Sequence, residues 1–320
     1  MLKKTAGLIA AIMLTATTAV RAQDAYPSKP ISMISPYQAG GTTELFARLL
    51  VDDMAAVLGK PIVIEQKPGA AGTIGARLVS MSKPDGYTLL ANTSQHVMYR
   101  GMYKQLPFDP MKDFQPVGQL GSSPILVVVA DGSPYKTLKD VLAAAKTKNL
   151  TFASGAMGSL PHLTGELVAS KANIKMTHVA YNGTAPALTD VLGGHVDLLF
   201  STAASVEQQI RAGKLRALAV STKERMRSFP DVPTIAESGM PGFDVTAWYG
   251  VWAPKGTDPA VIRKLNDAMR KASALPAVQK RMSDFSVVPS NMTAEEFAAF
   301  TARQNELWLD VMKTAKIQPN

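Results

Sequence analysis

The segment Ile31–Leu50, ISMISPYQAGGTTELFARLL, constrains this chain more than any other. An apolar run (Ile31, Met33, Ile34) meets Pro36, and a Gly40–Gly41 pair, two threonines and an amphipathic run follow. The order predicts a strand, a tight glycine loop and a helix start. Glycine lets backbone N–H groups approach a ligand closely. The first turn of a helix leaves its N–H groups unpaired and carries partial positive charge. Together they form an anion seat that needs no lysine or arginine. The same construction recurs at Phe152–Gly165 and Ala180–Leu192. A chain that repeats such seats is suited to holding a small anion between them.

With 320 residues, the chain has room for two domains of ordinary size. Its first residues do not belong to that fold. Lys3 and Lys4 precede the uncharged run Ala6–Val20, and Val20-Arg21-Ala22 offers a cleavage site. The run is shorter than the ~20 residues a spanning helix needs. We therefore expect a signal peptide over 1–22, cleaved so that Gln23 begins an exported, periplasmic chain. The absence of cysteine suits that compartment. The formal charge is +9, and removing Lys3, Lys4 and Arg21 leaves +6. The excess is scattered. Asp190–Val206 holds no Lys or Arg, and no basic run is interleaved with aromatics. A nucleic-acid surface is therefore not expected.

From Lys29 to Ser221, strand-like and helix-like segments alternate. Strands are expected at Ile31–Ser35, Pro61–Glu65, Tyr87–Ala91, Ile125–Ala130, Leu150–Ala153, Met176–Ala180, Val196–Phe200 and Leu215–Val220. Helices are expected at Glu44–Leu58, Ile74–Met81, Thr137–Lys146, Leu160–Ser170, Ala185–Leu192 and Val206–Ala212, with a further one from about Ser94. This rhythm predicts an α/β architecture with mostly parallel sheets covered on both faces. One more strand is expected at Val245–Ala253, then helices at Pro259–Ala272, Pro276–Ser283 and Ala294–Thr314. No flexible linker separates domains, so the boundary is expected inside strands, at Val117–Val129 and Asp244–Pro254. Lobe 1 is then 23–123 plus 247–320, and lobe 2 is 124–246. The ligand cleft lies between them, where the glycine loops meet the C-terminal ends of strands.

Enzyme signatures are missing. The sequence has no G-x-S-x-G elbow, no G-x-G-x-x-G and no H-E-x-x-H. His96, His162, His178 and His195 are isolated and form no metal-ligand motif. No catalytic residue, metal or cofactor is therefore expected. Of the four, His162 stands out, in the first turn of a helix beside a glycine loop, where it can hydrogen-bond an anion. The binding candidates are Tyr37, Gln38, Gly40, Gly41, Thr42 and Thr43 in the first loop, with Thr93 and Ser94 at the end of the third strand. Ser154, Met157, Gly158, Ser159 and His162 come from the second loop, and Tyr181, Thr184 and Ala185 from the third. Ser201 and Thr202 end another strand, and Trp248, with Tyr249, is expected to wall the cleft. Each loop also admits a plainer reading as a cap or turn without ligand.

At these residues the sequence resembles the Bug family, the TctC-like periplasmic receptors of tripartite tricarboxylate transporters. The shared landmarks include Tyr26-Pro-Ser-Lys-Pro-Ile31, Pro36-Tyr-Gln-Ala-Gly-Gly41, Leu58-Gly-Lys-Pro61 and Pro68-Gly-Ala-Ala-Gly72. Pro84-Asp-Gly-Tyr-Thr-Leu89, the run Tyr181–Asp190, Leu215-Arg-Ala-Leu-Ala-Val220 and Pro230-Asp-Val-Pro-Thr234 follow in order. The resemblance covers Tyr26 to about Leu309. It implies a two-lobed, type II-like periplasmic binding protein that closes over a small carboxylate, a di- or tricarboxylic or aromatic acid, gripped by Gly40–Thr43 and Ser154–Ser159. It also implies membrane subunits as partners, and nothing in the sequence suggests more than a monomer. The sequence departs from the family pattern in three places. Glu44 stands where Asp is common, and Gln38-Ala39 where a small residue and proline are usual. Ser201 stands where an acidic residue often serves an amino group. The last departure points away from α-amino acids and towards a mono- or dicarboxylate with an uncharged body, aliphatic or aromatic. A sensor feeding a two-component kinase, or a periplasmic hydrolase or lyase on the same fold, are the alternative readings.

Overall fold

The computed structural model describes residues 26–314. The expected signal peptide and Gln23 lie outside them. In chain order the elements are β1 (Ile31–Ser35), α1 (Thr42–Arg48), α2 (Val51–Leu58), β2 (Ile62–Gln66), α3 (Thr73–Ser80), β3 (Thr88–Thr93), a 3-10 turn at Ser94–Met98 and α4 (Tyr99–Met102). Next come β4 (Phe114–Ala130), α5 (Leu138–Ala144), β5 (Leu150–Ser154), α6 (Leu160–Ala172), β6 (Met176–Ala180), α7 (Thr184–Leu192), β7 (Leu198–Thr202), α8 (Ala203–Arg211) and β8 (Leu215–Val220). The chain closes with β9 (Thr246–Pro254), α9 (Pro259–Ala274), α10 (Pro276–Asp284) and α11 (Ala294–Thr314).

Two five-stranded sheets share β4. The first runs β2-β1-β3-β9-β4 and the second β6-β5-β7-β4, with β8 on the other side of β4. In the first sheet only β9 runs against the rest, and in the second only β4 does. Both sheets are therefore mostly parallel, as the alternation of elements predicts.

The 17-residue β4 joins the sheets. Its first part, Phe114–Pro124, lies opposite β9, and its second part, from Ile125, opposite β7 and β8. Ile125, Val127 and Val129 enter one hydrophobic cluster, whereas Leu126 and Val128 enter another. Burial on both faces explains why this stretch shows no polar alternation. The first part is broken by Pro116, Gly118 and Gly121, and the register shifts there. A Cβ at Gly118 would lie 2.9 Å from Nδ2 of Asn266, and one at Gly121 2.9 Å from Cγ1 of Val287. At Gly121, with φ +153° and the Val288 carbonyl 3.0 Å from the place of a Cβ, the packing of the C-terminal region requires glycine. The return crossing is made by Val245 and Thr246. The Val245 N–H donates to the Ser221 carbonyl beside β8, and Thr246 pairs with Pro124 in the first sheet.

One helix expected over Glu44–Leu58 is two. The Leu49 N–H reaches back to Leu45, but the Leu50 N–H bonds Ala47 one residue short of the α pattern, and Leu50 leaves helical geometry (φ −123°). Both leucines are buried in the core. Tertiary packing here overrides continuous helix propensity. A capping box opens α11: the Thr293 N–H donates to Glu296 Oε2 (2.8 Å), and the Glu296 N–H to Thr293 Oγ1 (3.1 Å).

Candidate functional site

Four helices begin at one place. The starts of α1 (Gly41, Thr42, Thr43), α6 (Ser159, Leu160, Pro161), α7 (Gly183, Thr184) and α8 (Thr202) line a cavity of about 70 Å³ between the lobes. Helices α1, α7 and α8 have no side-chain cap. Their first-turn N–H groups are thus left without capping partners around a common space. On α6, Ser159 Oγ accepts the His162 N–H only at 3.4 Å. Lys, Arg, Asp and Glu are absent from the cavity lining. Such a surface favours an anion through dipoles rather than through a counter-charge.

The first-lobe loop owes its shape to Glu44. This buried carboxylate accepts the Gly40 N–H (2.9 Å) and the Arg48 Nε–H (2.7 Å). Burial opposes its charge, but the Gly40 N–H and the Arg48 guanidinium outweigh that cost and hold its pKa below the ordinary glutamate range. Gly40, at φ +77°, sits in the left-handed region. Its N–H is spent on Glu44, which leaves Gly41, Thr42 and Thr43 to face the cavity. The second-lobe loops are tied together by the Gly183 N–H, which donates to Gly155 O at 2.7 Å. A Cβ on Gly155 would stand 2.8 Å from Thr184 Oγ1, so only glycine fits there.

Aromatic residues form much of the remaining wall. The Tyr37 hydroxyl lies 3.1 Å from Asn92 Oδ1 and 3.2 Å from Gln95 Oε1, and burial pushes its pKa up to about 12. Tyr249 stacks on Phe46 with ring centres 3.9 Å apart. Burial raises its pKa further, and its hydroxyl reaches Thr202 and Thr42 on opposite sides of the cleft. The lobes meet around this space. Thr42 Oγ1 and Ser205 Oγ are 2.7 Å apart, and Gln95 Nε2 donates to Met157 O at 3.1 Å. Met102 packs against Gly158 so closely that a Cβ there would overlap its side chain.

Of the residues singled out in the sequence, Tyr37, Gln38, Gly41, Thr42, Thr43, Thr93, Ser94, Ser159, Thr184 and Thr202 line the cavity. Gly40 and Ala185 lie in a depression on one flank, Met157 and Tyr181 in one on the other. Five others lie off these surfaces. Trp248 lies elsewhere: side chains alternate along β9, so Ala247 and Tyr249 face the cavity while Trp248 faces away, its indole N–H donating to Gln304 Oε1 (3.3 Å). The same parity turns Ser201 away where Thr202 turns in. Ser154 is buried behind its loop, with its Oγ on His178 Nε2 (2.7 Å). Gly158 and His162 bond each other, Gly158 N–H to Nδ1 at 2.9 Å, so His162 acts on the loop and not directly on the cavity. The sequence reading passed over Leu160, Pro161 and Ala247 because apolar residues at a helix start or in a strand carry no chemical signal. Gly155, Ala156 and Gly183 lie inside the glycine-rich segments Phe152–Gly165 and Ala180–Leu192, and Gln95 directly follows Thr93 and Ser94.

His96 is a core histidine. It is fully buried, its Nε2 lies 3.1 Å from Pro110 O, and burial pushes its pKa down to about 3 despite that carbonyl. Among the described residues no cluster of three metal-ligating side chains exists, and no helix is long and apolar enough to cross a membrane.

Two α/β lobes joined by crossing strands around an interlobe cavity define the periplasmic-binding-protein fold. The structure of the periplasmic binding protein BugD superposes with a TM-score of 0.87 at 33% identity, over 92% of this chain and 100% of that one. Rpa4515 of R. palustris, solved with adipate, gives 0.89 at 29% identity over 92% and 100%. MatC from Rhodopseudomonas palustris, solved with bound malate, gives 0.84 at 32% identity over 89% and 99%. The sequence model described as "Tripartite tricarboxylate transporter family receptor" matches residues 46–317. The chain belongs to that family, and the Bug resemblance drawn from its motifs is borne out. Its family is one of solute-binding proteins rather than enzymes.

Proposed function

We propose that this protein is a periplasmic receptor that captures a small carboxylate with an uncharged body by lobe closure. It then delivers that ligand to the membrane subunits of a tripartite tricarboxylate transporter. The observation that carries the reading is the convergence of four helix N-termini on a cavity without a charged side chain. A carboxylate supplies the charge those dipoles lack. The phenol of Tyr249, the methyl of Ala247 and the side chains of Leu160 and Pro161 suit an apolar body. The adipate and malate seen in two relatives agree with that chemistry. With no acidic side chain in the lining, an ammonium group would have no partner, which disfavours α-amino acids.

In this reading residues 23–123 and 247–320 form lobe 1 and 124–246 form lobe 2. The chain is exported by a signal peptide over 1–22 and acts as a monomer. The ligand shifts the protein toward the closed form because the seats on both lobes are satisfied together only there. Mass spectrometry of ligand retained through native purification, followed by calorimetric titration with organic acids, tests this. A dicarboxylate or aromatic acid is the expected occupant. Tight binding restricted to amino acids or cations would refute it.

A further inference from the structure

Beneath the second-lobe loop, two imidazoles stack with ring centres 3.8 Å apart. Phe152 packs against both, at 4.9 Å from His178 and 6.2 Å from His162. The pair holds both ends of the loop. His178 Nε2 meets Ser154 Oγ (2.7 Å), where β5 ends, and His162 Nδ1 accepts the Gly158 N–H (2.9 Å) just before α6. Between these anchors lie Gly155 and Ala156, which face the cavity together with Ser159. Gly158 itself is in the left-handed region, at φ +69°.

The Gly158 contact fixes the state of His162. A backbone N–H can only donate, so Nδ1 must present a bare lone pair. The single proton of the neutral ring is then on Nε2, which faces Glu166 Oε1 at 3.5 Å. Protonation would place a second hydrogen on Nδ1 and set two donors against each other.

We propose that His162 is a positioning residue for the anion seat of the second lobe, acting through Gly158 and only as the neutral imidazole. Acidification then releases the loop. The charged and titratable groups that face His162 are Glu166 from its own helix and His178 from β6. Phe152 from β5, and Met102 packed on Gly158 from α4, bring no charge. Glu166 Oε1, 3.5 Å from Nε2, gives the released ring a partner. Burial, then the charge of His162, push the His178 pKa down to about 3, so His178 stays neutral over the pH range of the test. The consequence for ligand affinity rests on the carboxylate reading above, but the loop mechanism does not.

The test is hydrogen exchange of the backbone amides of residues 155–160, without ligand, from about pH 8 to about pH 5, where histidines change charge. Rates are corrected for intrinsic exchange. Loss of one hydrogen bond should lower protection of Gly158 by about 2- to 12-fold as pH falls. His162→Asn keeps an acceptor oxygen near the place of Nδ1 and cannot titrate, so its protection should be independent of pH. His162→Leu should show the low protection at every pH. Adipate or malate affinity, where measurable by calorimetry, should follow the same three profiles. Wild-type protection that does not change with pH, or an Asn variant that still follows the wild-type profile, overturns the proposal. Because exchange needs no ligand, the loop mechanism is tested even if no acid is found to bind.

Discussion

Ser205→Ala removes one hydroxyl from the seam between the lobes. Ser205 Oγ is 2.7 Å from Thr42 Oγ1 across the cleft and 3.0 Å from Thr202 Oγ1 in its own lobe. It lies in a flanking depression and not in the central lining, so its loss leaves the cavity wall intact. The contact with Thr42 exists only when the lobes meet. A net hydrogen bond contributes about 0.5–1.5 kcal/mol, so the closed form should weaken by that amount and the Kd should rise about 2- to 12-fold. The bond to Thr202 is local, and its loss should affect thermal stability rather than closure. Thr42→Val removes the same cross-lobe bond and, in addition, a hydroxyl at the cavity. The double variant should therefore bind no more weakly than Thr42→Val alone, a coupling that a double-mutant cycle isolates. Calorimetry with the tightest-binding acid of a panel provides the affinities. Small-angle scattering with that acid at saturation confirms whether each variant still closes. Wild-type affinity in Ser205→Ala, or strict additivity in the cycle, would refute the assignment of this contact to closure.

Other outcomes follow from the same geometry. Glu44→Gln should lower thermal stability at neutral pH by roughly 1 kcal/mol, the difference between charged and neutral hydrogen bonds. Because the Glu44 pKa is depressed, its contribution is full above the ordinary glutamate range and fades as pH falls through the depressed value. A melting series should accordingly show a flatter acid limb in the variant. Trp248→Phe should leave ligand affinity within about twofold, whereas Tyr249→Leu, which loses the hydroxyl between Thr42 and Thr202, should weaken it about fivefold or more. Equal effects in a titration would undo the parity argument. With no cation in the lining, raising salt from about 50 to about 500 mM should change Kd less than about threefold, since screening acts on exposed charges. A tenfold loss would point to a lysine or arginine at the ligand.

Much of the architecture was legible because it rests on local rules. Short apolar runs ending in glycine or hydroxyl residues became β1, β5 and β7, each followed by a helix start at the cavity. The seats at Gly41–Thr43 and Gly183–Thr184 could be read for the same reason. Glycine and threonine at a strand–helix junction have few other uses. The first part of β4 was harder to see. The expected strand begins at Ile125 and the expected crossing at Val117, so Phe114–Pro116 lie outside both, and only the packing of Asn266 against Gly118 and of Val287 against Gly121 shows why a strand carries glycine there. The parity of Trp248 and Tyr249 was equally hidden. A strand fixes that neighbours face opposite ways, but which one faces the ligand depends on the register of β9 against β3 and β4. His162 was marked for its place beside a glycine loop. Its true contact, Gly158 four residues earlier, follows from the path of the turn and not from residue type.

The strand β4 gives its first eleven residues to one sheet and its last six to the other without a break. Modularity is limited accordingly. Exchanging one half of this receptor for that of a relative takes two splice points, near Ser123–Pro124 and near Val245–Thr246. Both fall inside continuous hydrogen-bonded backbone, where a misplaced joint shifts the pairing of every residue beyond it. A chimera designed to carry a new ligand preference would thus succeed or fail on the alignment of two peptide bonds at the pivot, well before any residue of the binding surface is altered.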